Sequence, residues 1–132
     1  MSDLKPGLVG EAELIVGEEH TAASVGSGRV GVLATPVMIN LIEAAALKAI
    51  EAHLPHGRQS LGTHLDVSHI AATPVGMRVT ATAELVKMEG RHLEFKVRAR
   101  DEMEEIGSGT HQRVVVNVEK FAARVARKMA GC

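Results

Sequence analysis

One segment of this sequence has the hydrophobic period of a helix and most of the remainder has the period of strands, which leaves few folds open to the chain. From Pro36 to about Leu54 apolar residues recur at helical spacing. Thr35 suits the N-cap and Pro36 the first helical position, while His56 and Gly57 close the segment. Before it, Glu11 to Gly17 alternates weakly and predicts a first strand, and Glu18 to Gly31, rich in Gly, Ser and Ala, predicts a loop or lid.

After the helix the pattern is strand upon strand. Leu61, Thr63, Leu65, Val67 and His69 should share one face of a strand, with Gly62, His64, Asp66 and Ser68 on the other. A turn through Ala72 to Gly76 leads into Arg78 to Lys87, where Val79, Ala81, Ala83 and Leu85 point one way. Glu89 and Gly90 signal a hairpin into His92 to Arg100, with Leu93, Phe95, Val97 and Ala99 inward. Ile106 to Val118 is the last long strand, with a bulge expected at Gly107 and Gly109, and a short basic helix follows near Phe121 to Met129. One long apolar helix followed by antiparallel strands predicts an α+β domain, a curved antiparallel sheet wrapped around one central helix. Such a sheet leaves an edge and a face that a second copy can cover, so a homodimer is expected.

Size and charge narrow the function. A chain of 132 residues reads as a single domain spanning 1–132. With 15 Lys plus Arg against 16 Asp plus Glu, the net charge is −1 and no global field draws the protein to nucleic acid or an anionic membrane. Phe95 and Phe121 are the only aromatic rings besides histidine, too few to stack successive bases. No apolar run is long enough for a membrane span, and Asp3, Lys5, Pro6 and Gly7 stand where a signal peptide needs apolar residues. The single Cys132 cannot form an internal disulfide, which fits a reducing, cytoplasmic setting.

Two residues resist a purely structural reading. On a helical wheel Glu43 falls among Ile39, Ala46, Leu47, Ile50 and Leu54, inside the apolar stripe, where an ionised carboxylate costs several kcal/mol unless paired. His69 continues the apolar face of Leu61, Leu65 and Val67. A carboxylate and an imidazole aimed into one core from helix and strand are what acid–base or nucleophilic chemistry near neutral pH requires. Thr35 is explained as an N-cap by itself, but beside the other two its hydroxyl could act as nucleophile, proton donor or water anchor. The seven histidines form no converging ligand set: His64 and His69 differ by an odd number and point to opposite strand faces, so no metal site is expected. Lys120, Arg124, Arg127 and Lys128 recur at helical spacing and read as a solvated face or a contact for ligand phosphates.

Three stretches, VLATPVMINLIEAAAL, GTHLDVSHIAATPVG and GSGTHQRVVV, resemble in order and spacing the fluoroacetyl-CoA thioesterase family of hotdog proteins, over roughly Leu8 to Phe121. The family's catalytic Thr, Glu and His fall on Thr35, Glu43 and His69, and its substrate-contacting Gly and Arg on Gly62 and Arg113. The resemblance implies a hotdog fold and hydrolysis of a small acyl-CoA thioester to carboxylate and free CoA, with no metal or organic cofactor. The Glu18–Ala34 segment has no aromatic residue, whereas the family's fluoroacetate-resistance member has phenylalanines there; a short-chain or small aryl acyl-CoA is an equal candidate substrate. Two rival readings remain at this point. One is a non-catalytic acyl-CoA-binding hotdog module. The other is a hotdog hydratase or dehydratase, against which Asp66 points away from His69.

Overall fold

The computed structural model describes residues 3–131; Cys132 lies outside the described residues. Five strands form one antiparallel sheet: β1 (Val9–Ile15), β2 (Arg58–His69), β3 (Arg78–Glu89), β4 (His92–Arg100) and β5 (Glu105–Asn117). Their spatial order is β1-β3-β4-β5-β2, so β1 and β2 are the two edges. The helices are α1 (Ala22–Val25), α2 (Thr35–Ile50) and α3 (Val118–Ala130). This is the curved sheet around one helix that the change of period predicts. Among the described residues no helix is long and apolar enough to cross a membrane.

β3 and β4 follow their alternation faithfully: Val79, Ala81, Ala83 and Leu85 on one, and Leu93, Phe95, Val97 and Ala99 on the other, are fully buried beneath α2. Helix α2 begins at Thr35, with Ala34 as its extended N-cap and Pro36 in the first turn, where the missing N–H has no helical partner to lose. Thr35 is therefore not the N-cap, and its side chain is free for another bond. The α-helix ends at Ile50, earlier than Leu54, and a 3₁₀ turn over Glu51–His53 follows. Pro55 holds Leu54 extended, which forbids continuing the helix.

The buried side of α2 is Met38, Leu41, Ile42, Ala45, Ala46, Ala49 and Ile50. It is rotated from the stripe expected around Glu43, because the sheet approaches the alanines most closely. A Cβ on Gly10 of β1 would collide with the Ala45 carbonyl and the Ala49 amide, so Gly10 lets strand and helix touch backbone to backbone. Glu43 is left at the margin of that face with its side chain 37% exposed.

β2 departs most from its expected register. Gly62 pairs with Arg113 and His64 with Gln112, so Thr63 is an extra residue, a bulge. The bulge shifts the alternation by one. Ser60 and Gly62 before it then face the same way as Leu65, Val67 and His69 after it, each paired with an inward residue of β5, while Leu61 pairs with outward Val114. Leu61 does not belong with Leu65 and His69, and Gly62 does not oppose them. On β5, Gly107 and Gly109 sit in regular pairs with both neighbours, and the bulge falls at Ile106 instead. Added Cβ atoms there would strike Met38 Sδ and the Ser68 carbonyl from Gly107, and the Asp66 carbonyl from Gly109. Those glycines serve close packing.

Candidate active site

The Thr35 hydroxyl, freed from capping, meets His69 Nδ1 at 2.7 Å. The start of α2 and the end of β2 thus deliver the hydroxyl and imidazole to one place. His69 Nε2 is buried and has no hydrogen-bond partner among the described residues. Burial pushes the His69 imidazole below the usual histidine range, with the Ala71 backbone partly offsetting it, so the ring is neutral near pH 7. Thr35 and His69 border a cavity of about 370 Å³ whose other walls include Ala22, Val30, Val32 and Leu33 from the segment before α2, and Ile70 and Ala71. That segment, expected to be a loop or lid, carries a 3₁₀ turn over Glu18–His20 and α1, and is tied down by bridges from Thr21 to Leu33 and from Val32 to Pro74. Leu33 N–H donates to the Thr73 carbonyl at 2.9 Å, and the Thr73 hydroxyl donates at 2.8 Å to buried Asp101, which also accepts the Met103 and Glu104 amides at 2.8 and 3.0 Å.

Glu43 occupies a second cluster. Its Oε2 lies 3.8 Å from Arg113 Nη1, and a Cβ at Gly62 would run into the same oxygen. Gly62 is therefore the position where β2 must have no side chain for the carboxylate to reach the sheet. Arg113, although a charged residue on a strand, is only 6% exposed. Its Nε donates to Ser60 Oγ at 2.8 Å and its Nη2 to the Ser60 carbonyl at 3.0 Å. His111, fully buried, lies 2.9 Å from the His64 carbonyl through Nδ1 and 3.1 Å from Arg113 Nη1 through Nε2. A carbonyl can only accept, so Nδ1 carries the proton and Nε2 accepts from the guanidinium. Burial, first of all, holds His111 below the usual histidine range, and the neighbouring Arg113 charge works the same way; the His64 carbonyl and Glu43 oppose both. Burial also lowers the Arg113 pKa, with Glu43 pulling it back up, and the guanidinium stays charged.

The five residues expected from the sequence thus fall into two groups. Thr35 joins His69; Glu43 joins Gly62 and Arg113. Thr35 and Glu43 are eight residues apart on one helix, about 12 Å along its axis, and Gly62 and His69 stand about 20 Å apart along β2. Within one chain Glu43 does not meet the other two. Sequence reasoning missed Ser60 and His111. The parity of β5 could have found His111, since it alternates with Arg113 and buried Val115. Asp66 pairs with Thr110 on the face opposite His69.

The sheet wrapped on one helix, with these polar groups at its margin, is that of the hotdog thioesterases, a class of thioester hydrolases. The solved structure of the fluoroacetyl-CoA-specific thioesterase FlK superposes with a TM-score of 0.88 at 40% identity, covering 95% of this chain and 97% of that one. A Thermus thermophilus protein described as a thioesterase superfamily member gives a TM-score of 0.91 at 30% identity, covering 98% and 96%. The family model for the fluoroacetyl-CoA-specific thioesterase matches residues 16–119. The fluoroacetyl-CoA thioesterase of Streptantibioticus cattleyicolor is 50% identical over 97 residues, 74% of this chain and 70% of that protein. The chain belongs to the fluoroacetyl-CoA-specific thioesterase family.

Proposed function

We propose that this protein hydrolyses a small acyl-CoA thioester to a carboxylate and free CoA, in the cytoplasm, as a homodimer in which Glu43 of one copy works on the Thr35–His69 pair of the other. The observation that carries this reading is the 2.7 Å Thr35–His69 bond beside a cavity, with the far ring nitrogen buried and unpartnered. When the Thr35 hydroxyl donates to Nδ1, Nε2 holds the ring proton and awaits an acceptor, which the acyl oxygen or departing sulfur supplies. Glu43 acts as general base toward water or as nucleophile. The backbone N–H of Gly62 holds the acyl carbonyl, and Arg113 steers the acyl end while His111 and Ser60 fix its guanidinium. The cavity's walls include Ala22, Val30, Val32, Leu33 and Ile70 beside Ser27 and Arg29, and no phenylalanine lines it, which suits a short acyl group.

The dimer is supported by β2 itself. It is a 12-residue edge strand, and Leu61 and Leu65 are each 39% exposed on it. Helix α2 packs mainly on β1 and β3 and leaves the inner face of β2 largely uncovered. Antiparallel pairing of two such edges, centred near Leu65 and Asp66, sets Gly62 of one copy against His69 of the other and joins the two halves of the site.

Thiol release from acetyl-, medium-chain, phenylacetyl- and fluoroacetyl-CoA tests the activity. Mixing the Glu43→Gln and His69→Ala proteins, each reduced to a slow residual turnover, tests the shared site: activity well above that of either alone should return in mixed dimers. No restoration, with dimers exchanging freely, would refute the shared site. Stabilisation by CoA esters without thiol release would instead mark a binding module.

A further inference from the structure

We infer that the cleft where β2 begins against α3 holds the phosphate-bearing nucleotide end of the CoA ester; this rests on the acyl-CoA reading above. Three separate stretches bring cations to it. Arg58 comes from the start of β2, Arg91 from the β3–β4 turn, and Lys120 and Arg124 from successive turns of α3, around a cleft of about 260 Å³. No carboxylate lines it, and none of the four cations makes an ion pair among the described residues. In a chain with a net charge of −1, four uncompensated cations in one concavity are a local construction.

Val116, Asn117 and Phe121 complete the lining; Phe121 is 40% exposed, while Phe95, the chain's other phenylalanine, is fully buried. An open ring flanked by guanidinium groups offers a purine a flat apolar face, and the guanidinium groups offer phosphate paired donors. The regularly spaced cations of α3 separate here: Lys120 and Arg124 turn into the cleft, and Arg127 and Lys128 do not line it.

The cleft is also at a suitable distance. Gly62, against which Glu43 sits, is four residues along β2 from Arg58, about 13 Å. A pantetheine arm spans such a gap, so a thioester at Glu43 leaves its diphosphate and 3′-phosphate near these four cations. The arm itself carries no charge, so recognition of the whole ester divides into an acyl end and a phosphate end.

The test compares acyl-CoA with the matching acyl-pantetheine, which has the same thioester and lacks the nucleotide. In the wild type, KM should be lower for acyl-CoA and should rise with ionic strength for that substrate alone. Lys120→Ala with Arg124→Ala should raise KM for acyl-CoA about ten-fold, leave kcat unchanged, and leave acyl-pantetheine kinetics untouched. Lys120→Arg with Arg124→Lys should restore most of the loss. Adenosine 3′,5′-bisphosphate should compete with acyl-CoA in the wild type and not in the double alanine variant. An equal KM for both substrates in the wild type, or equal effects of the variant on both, overturns the inference while leaving the hydrolase intact. A wild type that hydrolyses neither ester overturns the hydrolase reading itself.

Discussion

The two polar clusters flanking α2 differ in how far their hydrogen bonds are satisfied. Around Arg113 each guanidinium nitrogen finds a partner: Ser60 takes two bonds, His111 takes one and donates its own Nδ1–H to the His64 carbonyl, and Glu43 lies within ion-pair distance. Around His69 there is one bond to Thr35 and a buried nitrogen with none. The first arrangement holds its groups in one geometry. The second is incomplete among the described residues, and the proton transfer proposed for His69 draws on that open position.

The contrast can be broken from either side. The largest effect is expected from Glu43→Gln, which should lower turnover about 10²- to 10⁴-fold while changing stability by less than about 1 kcal/mol, because the carboxylate it replaces is 37% exposed and buried Arg113 keeps its bonds to Ser60 and His111. Thiol release and a thermal melt check both halves, and near-wild-type turnover would remove Glu43 from the mechanism. Arg113→Met should cost about 2–3 kcal/mol in urea unfolding, since it strips buried Ser60 and His111 of their partner. Thr35→Ala, losing one bond beside an open cavity, should cost about 1 kcal/mol or less. If the two substitutions destabilise equally, the distinction between a saturated and an unsaturated cluster fails.

Titration gives a finer comparison. Both His69 and His111 are held below the ordinary value of 6.5, mainly by burial. Between the lowered value and 6.5 the unfolded chain binds more protons than the folded one, so stability is gained as pH rises through that window and lost on acidification. The melting temperature should fall from pH 7 to pH 5, and His111→Gln and His69→Ala should each flatten that fall. Only His69→Ala should also flatten the acidic limb of the rate profile. An unchanged limb would remove His69 from proton transfer. The smallest effect is expected for Thr35→Ser, which keeps the hydroxyl and should retain most turnover.

Much of this was legible in the sequence where one physical rule acts alone. β3 and β4 are buried on one face only, and their alternation reads straight into the core. Pairing Thr35 with His69 needed only the helix start and the strand end. The reading went astray where two rules compete. The wheel centred on Glu43 weighed large apolar residues, whereas close approach at Gly10 favours small ones, and the helix turned accordingly. Arg113 and Ser60 are buried against their residue type because they satisfy each other, and a composition pattern carries no record of partners. The parity of β2 fails at Thr63, where nothing in the residue types announces an extra position.

That extra position makes β2 tolerant of a change in length at one place. Removing Thr63 would leave Gly62 opposite Arg113 and His64 opposite Gln112, pairs that already exist, and no side chain would change face. Removing Asp66 or Ser68 would instead carry His69 away from Thr35. A deletion scan along β2 should therefore find a single permissive position, and aligned relatives that differ in length within this strand should place their gap there.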